Sequence, residues 1–225
     1  MADGLTRNQM AWRLGRDIAE GSYVNLGVGI PLLVLDHAPA GREIIFHSEN
    51  GVLGMKPKDE ADGIRPDDLT NAGKQPVSLV PGAAMFHHAD SFIMIRGGHL
   101  DIAVLGAYQV AENGDLANWR LSGAPTAPAV GGAMDLAAGA RNVWAICEHN
   151  GRDGAPKIVR ECTLPLTGPR SVNRIYTDLA IIDVTPDGLV VREKIEDLSL
   201  EGLQARTAAP LSLANDWRPL EAPEL

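Results

Sequence analysis

Apolar residues recur at Met10, Leu14 and Ile18, a spacing that predicts an amphipathic helix opened by a Thr6/Gln9 capping box. The run SYVNLGVGIP then predicts a short strand entering a glycine loop, with Pro31 opening the helix PLLVLDHA. GREIIFHSENG is a strand with a polar end that stops at a glycine. VSLV and DIAVLGAY are predicted buried strands, with HHADSFIMIRGG as a helix between them. VWAIC, LAIIDV and LVVRE supply further strands, the last two joined by the turn TPDG. Residues 55–76 are polar and turn-rich and predict a long surface excursion. The segment beyond about residue 205 has weak periodicity and predicts a loosely defined tail. Strands alternating with helices predict an α/β fold, an open, largely parallel sheet flanked by helices. The 225 residues suit a single domain spanning 1–225.

Composition narrows the partners. The formal charge is −9, from 20 Lys+Arg against 29 Asp+Glu, which argues against nucleic acid and anionic membranes. Aromatic residues make up only 4%, too few for a base-stacking platform. Cys147 and Cys162 form no CxxC, and no leader or spanning stretch is evident, so a reducing, cytoplasmic setting is the expectation.

Several chemical motifs fail on inspection. Gly27 and Gly29 are followed by Leu32 where a dinucleotide fingerprint needs its third glycine. Neither a P-loop nor a GxSxG elbow occurs. His87, His88, Asp90, His99 and Asp101 lack metal-ligand spacing, so no metal is expected. Glu49 is more informative. It falls between Ser48 and Asn50 where a strand meets the glycine turn at Gly51, and ligand sites in open α/β sheets lie at strand carboxyl ends. Taken alone, Glu49 is either a solvated turn carboxylate or a nucleophile or general base.

Seven stretches, in order, resemble the catalytic β subunits of the family I 3-oxoacid coenzyme A transferases. They are NLGVGIP (25–31), SENGVLGM (48–55), LTNAGKQPVSLVPGA (69–83), ADSFIMIRGGHLDIAVLGAYQV (89–110), NGDLANW (113–119), VGGAMDL (130–136) and KIVRECTLPLTG (157–168). The resemblance covers most of residues 20 to 190 and implies the coenzyme A transferase fold. It implies that Glu49 is the nucleophile and carries coenzyme A (CoA) as a covalent glutamyl thioester, with CoA a substrate rather than a resident cofactor. By the same resemblance Gly131, Gly132 and Ala133 present backbone amides to the thioester oxygen. Asn25, Gly27, Asn50, Gly51 and Lys74 are implied on the substrate and CoA side.

The HHADSF form, with His87 and His88, and the segment VNRIYTDLAIIDVTPDG (172–188) look like the subgroup that acts on 3-oxoadipate in aromatic catabolism. Acetoacetate is the alternative acceptor, succinyl-CoA the implied donor, and a CoA-ester hydrolase of the same fold the competing activity. Only the β-type half is present, and no α-type GGFG loop occurs, so a separate α subunit is expected, commonly as α2β2.

Overall fold

The computed structural model describes residues 4–121 and 129–225. Helix α1 (Arg7–Asp17) opens with the expected capping box: the Gln9 amide donates to Thr6 Oγ1 at 3.2 Å, and the Thr6 amide to Gln9 Oε1 at 2.9 Å. Its apolar stripe is fully buried, Met10 at 1% exposure and Leu14 and Ile18 at 0%. The later helices are short: α2 (Leu33–Asp36), α3 (His88–Arg96), α4 (Ala133–Gly139) and α5 (Leu200–Gln204). Among the described residues no helix is long and apolar enough to cross a membrane.

Among the described residues thirteen strands follow in chain order: β1 (Tyr23–Leu26), β2 (Ile45–Ser48), β3 (Val52–Pro57), β4 (Val77–Met85), β5 (Ile102–Gly106), β6 (Gln109–Ala111), β7 (Leu116–Ala117), β8 (Asn142–Ile146), β9 (Ile158–Val159), β10 (Val172–Tyr176), β11 (Ala180–Thr185), β12 (Gly188–Lys194) and β13 (Leu211–Pro219). Ten of them form one sheet in the order β13-β12-β11-β10-β8-β5-β1-β2-β3-β4. Its centre, β10-β8-β5-β1-β2, is parallel throughout. An antiparallel hairpin extends each side, β11–β12 on one and β3–β4 on the other, and β13 closes the far edge parallel to β12. A small sheet, β7-β6-β9, stands apart.

Alternation along the central strands feeds two cores. On β5, Ile102 and Val104 join the core under α1 and α2, whereas Ala103 and Leu105 join the core packed by α3 and α4. β10 and β11 divide likewise, Tyr176 and Ile181 against Ile175 and Ile182. Burial on both faces explains why these strands are near-continuous apolar runs.

Two expectations need correction. Residues 55–57 are not part of a loop: Met55, 2% exposed, lies in β3 and pairs with Leu79 of β4. Gly54, with φ +86, interrupts the apolar alternation there and hides the strand. The excursion proper is 58–76. Lys58 pairs with Asp62 at 2.6 Å, and Ser78 of β4 also bonds Asp62, so this loop is tied back to the sheet. The segment beyond 205 is not loose either, because nine of its residues form β13. An edge strand buries one face, and the register of β13 on β12 shifts between Val191 and Glu193, which breaks the period of two. The polar-centred VNRIY also proved to be a strand, β10.

Candidate active site

A cavity of about 460 Å³ lies at the carboxyl ends of β1, β2, β5 and β8. The chain passes from β1 to β2 on one side and later to β5 on the other. This topological switch point is where open α/β sheets hold ligands. Gly27 and Gly106, just past β1 and in the last position of β5, form part of the wall. The N-terminal turn of α4, with Gly131, Gly132 and Ala133, lines the same space, and a helix start leaves amides without intrahelical partners.

Glu49 reaches this cavity from the turn after β2, and its neighbours fix the turn without touching its carboxylate. Ser48 Oγ accepts the amide of Ala72 at 2.8 Å, and Asn50 Nδ2 donates to the Thr70 carbonyl at 2.7 Å. The SENG and TNAGK segments are therefore stitched together on both sides of Glu49. Gly51 has φ +110, and a Cβ there would collide with the Phe86 carbonyl oxygen, so no other residue fits. Among the described residues no hydrogen bond reaches the Glu49 carboxylate. A Cβ on Gly132 would stand 2.6 Å from Glu49 Oε2, so the glycine leaves room that a side chain would fill. Burial raises the Glu49 pKa above its ordinary 4.5, with His88 pulling it down and Asp135 adding to the rise. A desolvated, unpaired carboxylate is a better nucleophile than a solvated one.

The other expected residues divide. Asn25 is 2% exposed and lies beneath the cavity rather than in its wall. Its Nδ2 donates to Nδ1 of His47 at 2.9 Å, which puts the imidazole proton on Nε2, 2.8 Å from Ser91 Oγ. Burial lowers the His47 pKa to about 4, so this strut between β1, β2 and α3 is neutral. Lys74 lies outside the lining, in a left-handed turn (φ +61) that the Asn71 side chain holds. It is Ala72, two residues earlier, that lines the cavity. His87 caps α3, its Nδ1 accepting the Ala89 amide at 3.1 Å. His88 packs edge-on against Phe92 at 4.9 Å and acts on Glu49 through charge.

Sequence reasoning missed Asn118, Trp119, Cys147 and Lys157 in the lining. Three of them lie in stretches that carried the resemblance, NGDLANW and KIVRECTLPLTG, which was the available signal. Burial pushes the Cys147 thiol up to about 12, so it is a wall rather than a reagent.

Comparison with known proteins establishes the family. The family model described as coenzyme A transferase matches residues 7–202. The chain is 56% identical over 208 residues to the B-type subunit of the 3-oxoadipate CoA-transferase of Acinetobacter baylyi, covering 92% of this chain and 95% of that protein. It is 43% identical over 203 residues to the B-type subunit of the succinyl-CoA:3-ketoacid coenzyme A transferase of Helicobacter pylori, covering 90% and 97%. Among solved structures it resembles the acyl-CoA transferase YdiF of Escherichia coli O157:H7, with TM-score 0.75 at 18% identity. That match covers 96% of this chain and 43% of the other, so the chain spans less than half of that protein and the likeness speaks to fold alone.

Proposed function

The chain belongs to the coenzyme A transferase family, and from that premise we propose that it is the catalytic β subunit of a two-subunit enzyme moving CoA from succinyl-CoA to 3-oxoadipate. CoA transfer is the family's function. The choice of acceptor is supported by the 56% identity to subunits named for 3-oxoadipate over nearly the whole chain. The observation that carries the chemistry is Glu49, half-buried at the cavity and, among the described residues, accepting no hydrogen bond.

In this reading the Glu49 carboxylate attacks the thioester carbonyl of succinyl-CoA. The tetrahedral adduct collapses with loss of CoA thiolate, leaving a mixed anhydride on Glu49. The thiolate then attacks the glutamyl carbonyl, succinate departs, and Glu49 holds CoA as a thioester. The 3-oxoadipate carboxylate attacks this thioester and the same two steps run in reverse, restoring the carboxylate with no net proton uptake. Each step develops an oxyanion, and the Gly132–Ala133 turn, at a helix start that lines the cavity, supports its amides as the groups that meet it. The anhydride and thioester both demand a dry site. Val28, on the cavity wall, and Ile93 and Met134 on α3 and α4 are apolar and exposed, which supports a partner α subunit covering them; the α2β2 arrangement follows from the family resemblance. Residues 1–225 serve as the single β-subunit domain of that assembly.

Co-expression with a candidate α subunit tests the proposal. The complex should prefer 3-oxoadipate to acetoacetate in kcat/KM, release almost no free CoA without acceptor, and carry borohydride-sensitive CoA mass on the Glu49 peptide. A preference for acetoacetate would move the assignment to the 3-ketoacid enzymes, and rapid CoA release alone would make it a hydrolase.

A further inference from the structure

The mechanism above uses the carboxyl that reacts, yet succinyl-CoA and 3-oxoadipate each carry a second one. Lys157 is the one cationic side chain among the described residues that line the cavity, and the sequence of 122–128, SGAPTAP, holds no charge. Its side chain is only 19% exposed. Its one carboxylate partner among the described residues is Glu148, whose Oε2 accepts from Nζ at a long 3.5 Å while Arg7 holds the other oxygen, Oε1, at 2.6 and 2.8 Å. An ammonium has three donors, so most of this one's capacity is unspent. The backbone of Lys157 is pinned on both sides: its amide donates to the His149 carbonyl at 3.2 Å, and its carbonyl accepts the Val110 amide at 2.8 Å.

Its position is also suitable. Glu49 follows β2, Cys147 follows β8, and β1 and β5 lie between them, which makes three inter-strand steps. At about 4.8 Å per step the two strand ends are roughly 14 Å apart. Glu49 and Lys157 both line the cavity that spans these ends, a span that two side chains and a short dicarboxylic chain would fill. Leu105, Leu136 and Ile146 line the space with apolar surface that suits methylenes. Succinyl and 3-oxoadipyl groups differ by two carbons, and a flexible lysine stem follows that difference better than the rigid fork of an arginine.

We propose that Lys157 binds the distal carboxylate of the acyl group and is the residue that selects dicarboxylic over monocarboxylic substrates. This rests on the dicarboxylate reading of the function, and the test separates the two. In the complex with the α subunit, Lys157→Met should lower kcat/KM for the succinyl-CoA/3-oxoadipate pair by about 100-fold, the order expected of a lost charge-assisted hydrogen bond. Transfer between acetoacetate and a monocarboxylic acyl-CoA should stay within about threefold, since those chains have no second charge to pair. Lys157→Arg should recover much of the dicarboxylate rate. Lys157→Gln, which keeps a polar but uncharged end, is measured beside it, with free succinate and acetate compared as competitors so that a folding defect in Lys157→Met is recognised. Equal losses for both substrate classes, or unchanged succinate competition in folded Lys157→Gln, would overturn the inference. Wild-type complex inactive on every dicarboxylate would instead overturn the function on which it rests.

Discussion

Two glutamates, Glu49 and Glu193, show how the same side chain is put to opposite uses in one sheet. Glu193, on β12, is 4% exposed and fully engaged. Arg13 from α1 grips both of its oxygens at 2.9 and 2.6 Å, and Arg218 from β13 adds a third bond at 2.9 Å. Neighbouring carboxylates are equally occupied: Asp17 by Arg13 and Tyr176, Asp183 by Arg174 and Arg192. Glu49 is half-buried, but its flanking residues spend their hydrogen bonds on the adjacent loop, and among the described residues none reaches its carboxylate. The antiparallel wing uses charge to lock elements together, whereas at the parallel strand ends the Glu49 carboxylate is, among the described residues, without a hydrogen-bonded partner. Burial with partners gives rigidity, and burial without them gives a pKa displaced towards the neutral acid and a reactive group.

The sharpest way to break this contrast is Glu49→Gln, which keeps the shape and removes the nucleophile. In the α–β complex the turnover number should fall by about 10⁴-fold or more. The fold should be retained and even gain. Because the folded-state pKa is raised, the unfolded chain ionises first as pH climbs past 4.5, so the ionised carboxylate costs stability at neutral pH. The variant should therefore melt higher than wild type at pH 7, with the difference vanishing below pH 4.5 where both states are protonated. The acid limb of wild-type kcat/KM should accordingly lie above that ordinary carboxylate value.

Glu193→Ala should show the reverse profile. Removing one of the two carboxylates that hold Arg13, in a nearly closed environment, should cost about 3 kcal/mol of unfolding free energy, while the folded fraction retains normal turnover. Denaturant unfolding set beside active-site titration separates these two quantities, and a fall in turnover per folded molecule would show that the wing is coupled to the site. Gly132→Ala should have the smallest effect. Gly132 has φ −76, which alanine accepts, but the new Cβ presses on Glu49 Oε2 and stands 2.9 Å from the Phe92 ring edge, so both side chains must shift at a modest cost in stability. An activity loss of about tenfold is expected, the scale of a displacement of a few tenths of an ångström to one ångström at a reacting group. Activity equal to wild type would mean that Glu49 has more freedom than the structure gives it.

The α/β class, α1 with its cap, the central strands and the placing of Glu49 at a strand end were all legible in the order of residues. These follow from local information: a period of four, apolar runs flanked by glycines, and a polar residue at the boundary between them. Tertiary structure alone decided which of the implied residues meet. Asn25 went beneath the cavity because residues alternate sides of a strand and its partner His47 lies on the neighbouring strand. Lys74 went outside it because Asn71 folds the loop back on itself. Lys157 came in through the small β7-β6-β9 sheet, which places residues distant in sequence beside the ends of β5 and β8. The edge strand β13 stayed hidden because a one-sided, bulged strand carries too few buried positions to show a period. Periodicity reports whether a residue is buried, but only the closure of the sheet decides what it is buried against.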